Sequence, residues 1–174
     1  MSTAQKPGYI GQSTPRANAK RLLQGRGVYT DDLRLPRLAH VAFFRSPHAH
    51  ARIVKLDFAR ALAMPGVIAV VDGKTLAAYC KPWVAVLGHL KGIKSAPQHP
   101  IAIDRACWQG EAVAAVVAET RAQAEDAADL IEAEWAELPV VIDMADSLAG
   151  KYVIHPDLGD NVCFTRALDT GEVD

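Results

Sequence analysis

The segment that most constrains the fold runs from Glu111 to Ile131 and reads "EAVAAVVAETRAQAEDAADLI". Its first nine residues are nearly all apolar between two glutamates, the pattern of a strand covered on both faces. Thr120 follows, with Gln123 three positions on, which is the signature of a capping box. Ala124, Ala127, Ala128 and Ile131 then recur at i, i+3, i+4 and i+7, so one face of a helix from Arg121 to Ile131 is built of small residues. Alanines on that face allow a helix to approach a sheet closely. A buried strand that leads straight into such a helix needs a domain in which both element types share a core.

The rest of the chain supplies further elements of both kinds. Residues 1–15 are rich in Gly, Pro, Ser and Thr and read as an extended arm. A short helical turn through Ala19, Leu22 and Leu23 ends at Gly25 and Gly27, and "VYTDDLRLPRL" reads as a loop. Two β-rich runs follow, Leu38 to Phe44 and His50 to Leu56. Asp57 can cap a two-turn helix, Phe58 to Met64, ended by Pro65 and Gly66, and Gly66 to Asp72 reads as a buried strand. These form a first strand, helix, strand module. Between Lys74 and Gln98 we expect a helical turn near Leu76, a strand at Trp83 to Leu87, and a polar loop that is the most mobile part of the chain. "EAEWAELPVVID", Glu132 to Asp143, reads as a strand, a turn at Leu138-Pro139 and an extended segment. The expected organisation is an arm at 1–15, an α+β domain at 16–150 with a mixed sheet and a few packed helices, and an irregular tail at 151–174.

Charge and cysteine content exclude several function classes. With 19 basic and 20 acidic residues the chain has no field that would gather a polyanion, so nucleic acid is not an expected partner. The basic group Arg16, Lys20, Arg21 and Arg26 is followed at once by Asp31 and Asp32. Cys80, Cys107 and Cys163 have no C-x-x-C spacing for zinc, an iron-sulfur cluster or a redox dithiol, and they fit a reducing compartment. The start of the chain has no basic-then-apolar leader and no long apolar run, so the expected location is the cytoplasm, without a membrane contact. A chain of 174 residues buries enough surface to need no disulfide or structural metal.

Within "RSPHAHARI", Arg45 to Ile53, His48 and His50 stand two apart. On a strand they would share a face and could hold a metal, or serve as ordinary strand residues. Further ligands would have to come from His40, His89, His99, His155 or scattered carboxylates, and none has a diagnostic spacing. Asp31-Asp32 and the alternate acids Glu132 and Glu134 are candidate catalytic carboxylates, with solvated or capping acids as the plainer reading. Ser13, Ser46, Ser95 and Ser147 lack a G-x-S-x-G elbow. "GRG" at 25–27 is not a dinucleotide fingerprint, because Thr30 stands at the third glycine position. Local chemistry therefore describes a folded domain with no self-contained active site.

Four stretches in order carry a resemblance. "GRGVYTDDLRLPRLAHVAFFRSPHAHARI" at 25–53, "MPGVIAVVDGKTL" at 64–76, "QGEAVAAVVAETRAQAEDAADLIEAEWAELPVVID" at 109–143 and "TGEVD" at 170–174 together resemble the molybdenum hydroxylases. That family includes xanthine dehydrogenase, aldehyde oxidase and aerobic carbon monoxide dehydrogenase. The similar region is the N-terminal α/β hammerhead domain of the large, molybdenum-carrying chain, and it covers about residues 10–174.

The resemblance implies that His48 and His50 are architectural. It implies a molybdopterin-type cofactor held by glycine-rich segments of a downstream region, with a glutamate there as the base, and FAD and two [2Fe-2S] clusters on medium and small partner subunits. None of those motifs stands in this sequence, so no catalytic, cofactor-binding or metal-ligating residue is assigned here. The expected role is a structural and interface domain of an oxidoreductase large subunit, inactive alone, with "DDLRLPRL" favouring the carbon monoxide dehydrogenase-like branch. Two alternatives stand beside it: a stand-alone adaptor module and a small metalloprotein built on the histidines.

Overall fold

In the computed structural model residues 8–167, apart from 86, 88 and 91, are described together with Gly171. They fall into two compact units, Met1–Leu38 and Ala39–Asp174. In the first unit a single helical turn, α1 (Ala19–Leu23), buries none of its side chains. A 3-10 turn at Thr30–Asp32 follows, where the Asp32 carboxylate accepts the Tyr29 N–H at 2.9 Å.

The second unit holds two three-stranded antiparallel sheets. One is built from β1 (His40–Arg45), β3 (Val67–Asp72) and β5 (Ala112–Ala118), with β5 in the middle. Its register sets Phe43 opposite Ala115 and Val70 opposite Val116. The other orders β4 (Arg105–Ala106), β2 (Ala51–Asp57) and β6 (Glu132–Glu137), with Ile53 opposite Trp135. The strand, helix, strand module read from the sequence is therefore divided: β2 and β3 lie in different sheets. The link between them, α2 (Ala59–Leu62), has only four residues, and Gly66 at φ 83° turns the chain into β3. Asp57 does contribute at the start of α2, accepting the Ala59 N–H at 3.0 Å, although Phe58 occupies the capping position.

The helix anticipated from the alanine spacing is α4 (Arg121–Ala128), and it packs on β1 and β5. Both halves of the capping box form: Gln123 N–H donates to Thr120 Oγ1 at 3.3 Å, and Thr120 N–H to Gln123 Oε1 at 3.1 Å. Ala124, Ala127, Ala128 and Ile131 are all buried, and the last three share a core with Ala61, Ala114 and Val116. The helix stops short of Ile131 because its last turn tightens, with Leu130 and Ile131 donating to carbonyls three residues back. On β5, Val113 to Val116 are buried side by side, so residues of both faces are covered.

α3 (Gly73–Ala77) starts on Asp72, whose carboxylate accepts the Thr75 N–H at 2.8 Å. A glycine is required at its first position because a Cβ on Gly73 would overlap the Ala102 carbonyl. That carbonyl belongs to a segment pinned to β5 by the bond from Ala102 N–H to the Ala112 carbonyl, 2.8 Å.

Of the strand expected at Trp83 to Leu87, Val86 lies outside the described residues, and the described part forms an isolated bridge between Trp83 and Gln98. The polar loop beyond it is tied down by Lys94. Its N–H donates to the Cys163 carbonyl at 2.8 Å, and its ammonium reaches Asp160 at 2.7 Å. A helix absent from the sequence reading, α5 (Met144–Leu148), forms where Asp143 Oδ1 accepts the N–H groups of Ala145 and Asp146. In the tail, Asn161 closes a loop by donating to the Tyr152 carbonyl and accepting the Ile154 N–H.

Candidate functional site

The histidine pair does not lie on a strand. Residues 47–50 form a bend, and β2 begins only at Ala51. Ser46 shapes that bend, its hydroxyl donating to the His48 carbonyl at 2.8 Å and accepting the His48 N–H at 3.1 Å. The two rings then part company. His48 leans on Trp135, with ring centroids 5.4 Å apart, and its Nδ1 stands 3.7 Å from Glu137. His50 is buried, and its Nδ1 lies 2.7 Å from the Pro139 carbonyl. A carbonyl only accepts, so Nδ1 carries the proton. With the Leu138 N–H donating to the His50 carbonyl at 2.9 Å, this residue fastens the exit of β6 to the entry of β2.

The other sequence candidates are equally scattered. Glu132 pairs with Arg60 at 2.9 Å and Glu134 approaches Lys55 at 3.9 Å, all with exposed side chains. Exposed pairs of this kind contribute about 0–1 kcal/mol. Asp32 is spent on its capping bond, and the Asp31 carbonyl accepts from Arg34. Ser95 accepts the Ala85 N–H at 3.0 Å, and the Ser147 carbonyl accepts from Asn161. Ser13 is exposed in the first unit.

The structure gathers titratable groups elsewhere, around a cleft of about 280 Å³ whose wall includes His99, Arg105, Cys107, Glu111 and His155. Burial pushes the Glu111 carboxyl up from its ordinary value, against the opposing pull of hydrogen bonds from the Cys107 and Trp108 backbone. The Cys107 N–H reaches it at 2.6 Å. Burial also raises the Cys107 thiol, with Arg105 opposing. His155 is held below its usual value by burial, then by Arg105 and His50. Two buried ring nitrogens, His50 Nε2 and His99 Nδ1, have no hydrogen-bond partner among the described residues.

Chemically, Glu111 is occupied in holding the turn from Cys107 to Glu111, and a raised thiol is a poor nucleophile. Among the described residues no three His, Cys, Asp or Glu side chains converge as a metal-binding group. Sequence reasoning missed this cluster because His155 joins it from a distant part of the chain, and the stretch from His99 to Glu111 has no recognisable ligand or catalytic spacing.

The family of the chain follows from comparison with known proteins. The family model "aldehyde oxidase and xanthine dehydrogenase, a/b hammerhead domain" matches residues 24–139. The chain belongs to this family. Its hammerhead domain is 38% identical over 165 residues to the nicotine 6-hydroxylase large subunit of Paenarthrobacter nicotinovorans, covering 95% of this chain and 20% of that one. It is 39% identical over 138 residues to the carbon monoxide dehydrogenase large chain of Hydrogenophaga pseudoflava, covering 77% and 16%. The solved quinoline 2-oxidoreductase of Pseudomonas putida 86 superposes with a TM-score of 0.82 at 43% identity, over 92% of this chain and 20% of that one. The hammerhead chain thus spans about a sixth to a fifth of the length of these relatives. No helix among its described residues is long and apolar enough to cross a membrane.

Proposed function

We propose that this chain is the structural and interface domain of the large subunit of a molybdopterin-dependent dehydrogenase, with residues 16–150 as the hammerhead proper. The whole enzyme would hydroxylate its substrate with oxygen from water and pass electrons through [2Fe-2S] clusters to FAD on partner subunits, in the cytoplasm. The observation that carries this reading is the family match over residues 24–139 together with relatives about five times as long. The "DDLRLPRL" stretch supports the carbon monoxide dehydrogenase-like branch. A carbon monoxide dehydrogenase large chain and a nicotine 6-hydroxylase large subunit are nearly equal in identity to this chain, 39% and 38%, so the substrate is a separate question.

The molybdenum cofactor does not fit the residues present. A pterin cradle needs glycines at which backbone approaches a ligand. Here the 12 glycines are dispersed along the sequence and no two are adjacent, so the chain offers no glycine-rich loop for a pterin. The domain on its own is therefore inactive in this reading. Its contribution is to present surfaces to the parts that hold the cofactor.

The test is to follow the reading frame past Asp174, purify the product with its neighbours, and measure molybdenum, iron and flavin. A frame that runs on into glycine-rich segments and yields all three supports the reading. A product that ends near Asp174 with no large-chain gene beside it would leave a stand-alone module.

A further inference from the structure

α5 is anchored on its polar side and bare on its apolar side. Asp143 caps it, Lys151 pairs with Asp146 at 2.9 Å, and Asn161 donates to the Ser147 carbonyl at 3.2 Å. Its outward residues Met144 and Leu148 are 84% and 74% exposed, and Ile142, just before it, is 94% exposed. Ile142 and Met144 also form one wall of a groove of about 400 Å³, whose other side includes Ile154, Leu158 and Val162. A pinned apolar ridge beside an apolar groove is the form of a surface meant to be covered.

We infer that this ridge and groove, Ile142 to Leu148 with Ile154 to Val162, are the surface on which the remainder of the large subunit docks. The inference rests on the proposed function and names the surface that it needs. About four-fifths of each matched relative lies outside the stretch that matches this chain, so a large body of the same polypeptide has to find its place on the hammerhead domain. A second copy of this chain is the competing occupant, and the concentration dependence below separates the two.

The experiment uses the full-length large subunit that carries this segment. Peroxide oxidation of Met144 follows its exposure, so its rate in the native subunit, relative to the same subunit unfolded in urea, should fall by about tenfold or more. The paired change Ile142→Asp with Met144→Asp should cut the yield of assembled enzyme on gel filtration by about tenfold, and Ile142→Val with Met144→Leu should keep it. An unprotected Met144, or an aspartate pair that assembles at the unmodified yield, would overturn the inference. Protection that varies with protein concentration would assign the surface to a second copy and overturn it as well. A subunit that assembles without molybdenum would sink the functional reading, while the oxidation ratio still judged the surface.

Discussion

Replacing Ala127 by glutamate tests the centre of the fold. Ala127 is fully buried where α4 meets Ala61, Ala114 and Val116. Three effects decide the magnitude. Adding three heavy atoms and a methylene stem to a packed site costs about 1–3 kcal/mol through displaced neighbours. A carboxyl group with no partner adds about 1–3 kcal/mol, since Ala, Val and Ile side chains offer no donor. Relaxation offsets part of both, because α4 has only eight residues and can tilt. The expected loss is therefore about 2–4 kcal/mol, a large share of an ordinary domain's stability. Ala127→Leu supplies the packing cost alone, so the difference between the two variants reports the buried carboxyl. Urea denaturation followed by circular dichroism on the 174-residue chain measures both. A change below about 0.5 kcal/mol for Ala127→Glu would mean that this face of α4 looks at solvent, and the core described above would be wrong.

Gly73→Ala should destabilise by about 1–3 kcal/mol, because the Ala102 carbonyl already occupies the space a Cβ needs; an unchanged urea midpoint would show that the contact gives way freely. The lowered His155 makes the unfolded chain the better proton acceptor. Stability should fall as pH drops below the ordinary histidine value of 6.5, and midpoints measured from pH 7.5 down to pH 5.5 should lose that slope in His155→Gln. Elemental analysis after gel filtration should find no stoichiometric zinc, iron or copper, since His48 and His50 point to separate partners; one equivalent that disappears when both become alanine would revive the metalloprotein reading.

What could be read in advance was what is encoded locally. The Thr120 to Gln123 box and the alanine spacing lie within twelve residues, and the helix starts where they say and ends three residues early, at Ala128. Strand β5 was legible for the same reason, as an unbroken apolar run. Pairing was not legible: β2 and β3 both read as short strands, and their assignment to different sheets depends on β6 and β5, which come much later in the chain. The role of His50 turns on Pro139, 89 positions away, and α5 turns on one aspartate that also fits a loop. The cleft of Glu111, Cys107 and His155 joins segments that no local pattern connects.

The position of β5 between β1 and β3 also sets the order in which the protein can be made. β1 and β3 leave the ribosome first, yet each has only β5 as its partner, and His40 must wait for Ala118. At synthesis rates of roughly 5–20 residues per second, β1 spends on the order of 4–15 seconds as an unpaired edge. β2 waits longer still for β6, whose pairing residues end at Glu137. A nascent chain halted after β3 and before residue 112 therefore holds β1 and β3 without the strand that pairs them, with only the short helices α2 and α3 to pack on β3. Such a product is prone to aggregate, and slower synthesis through the middle of the chain lengthens the time for which these edges need shielding.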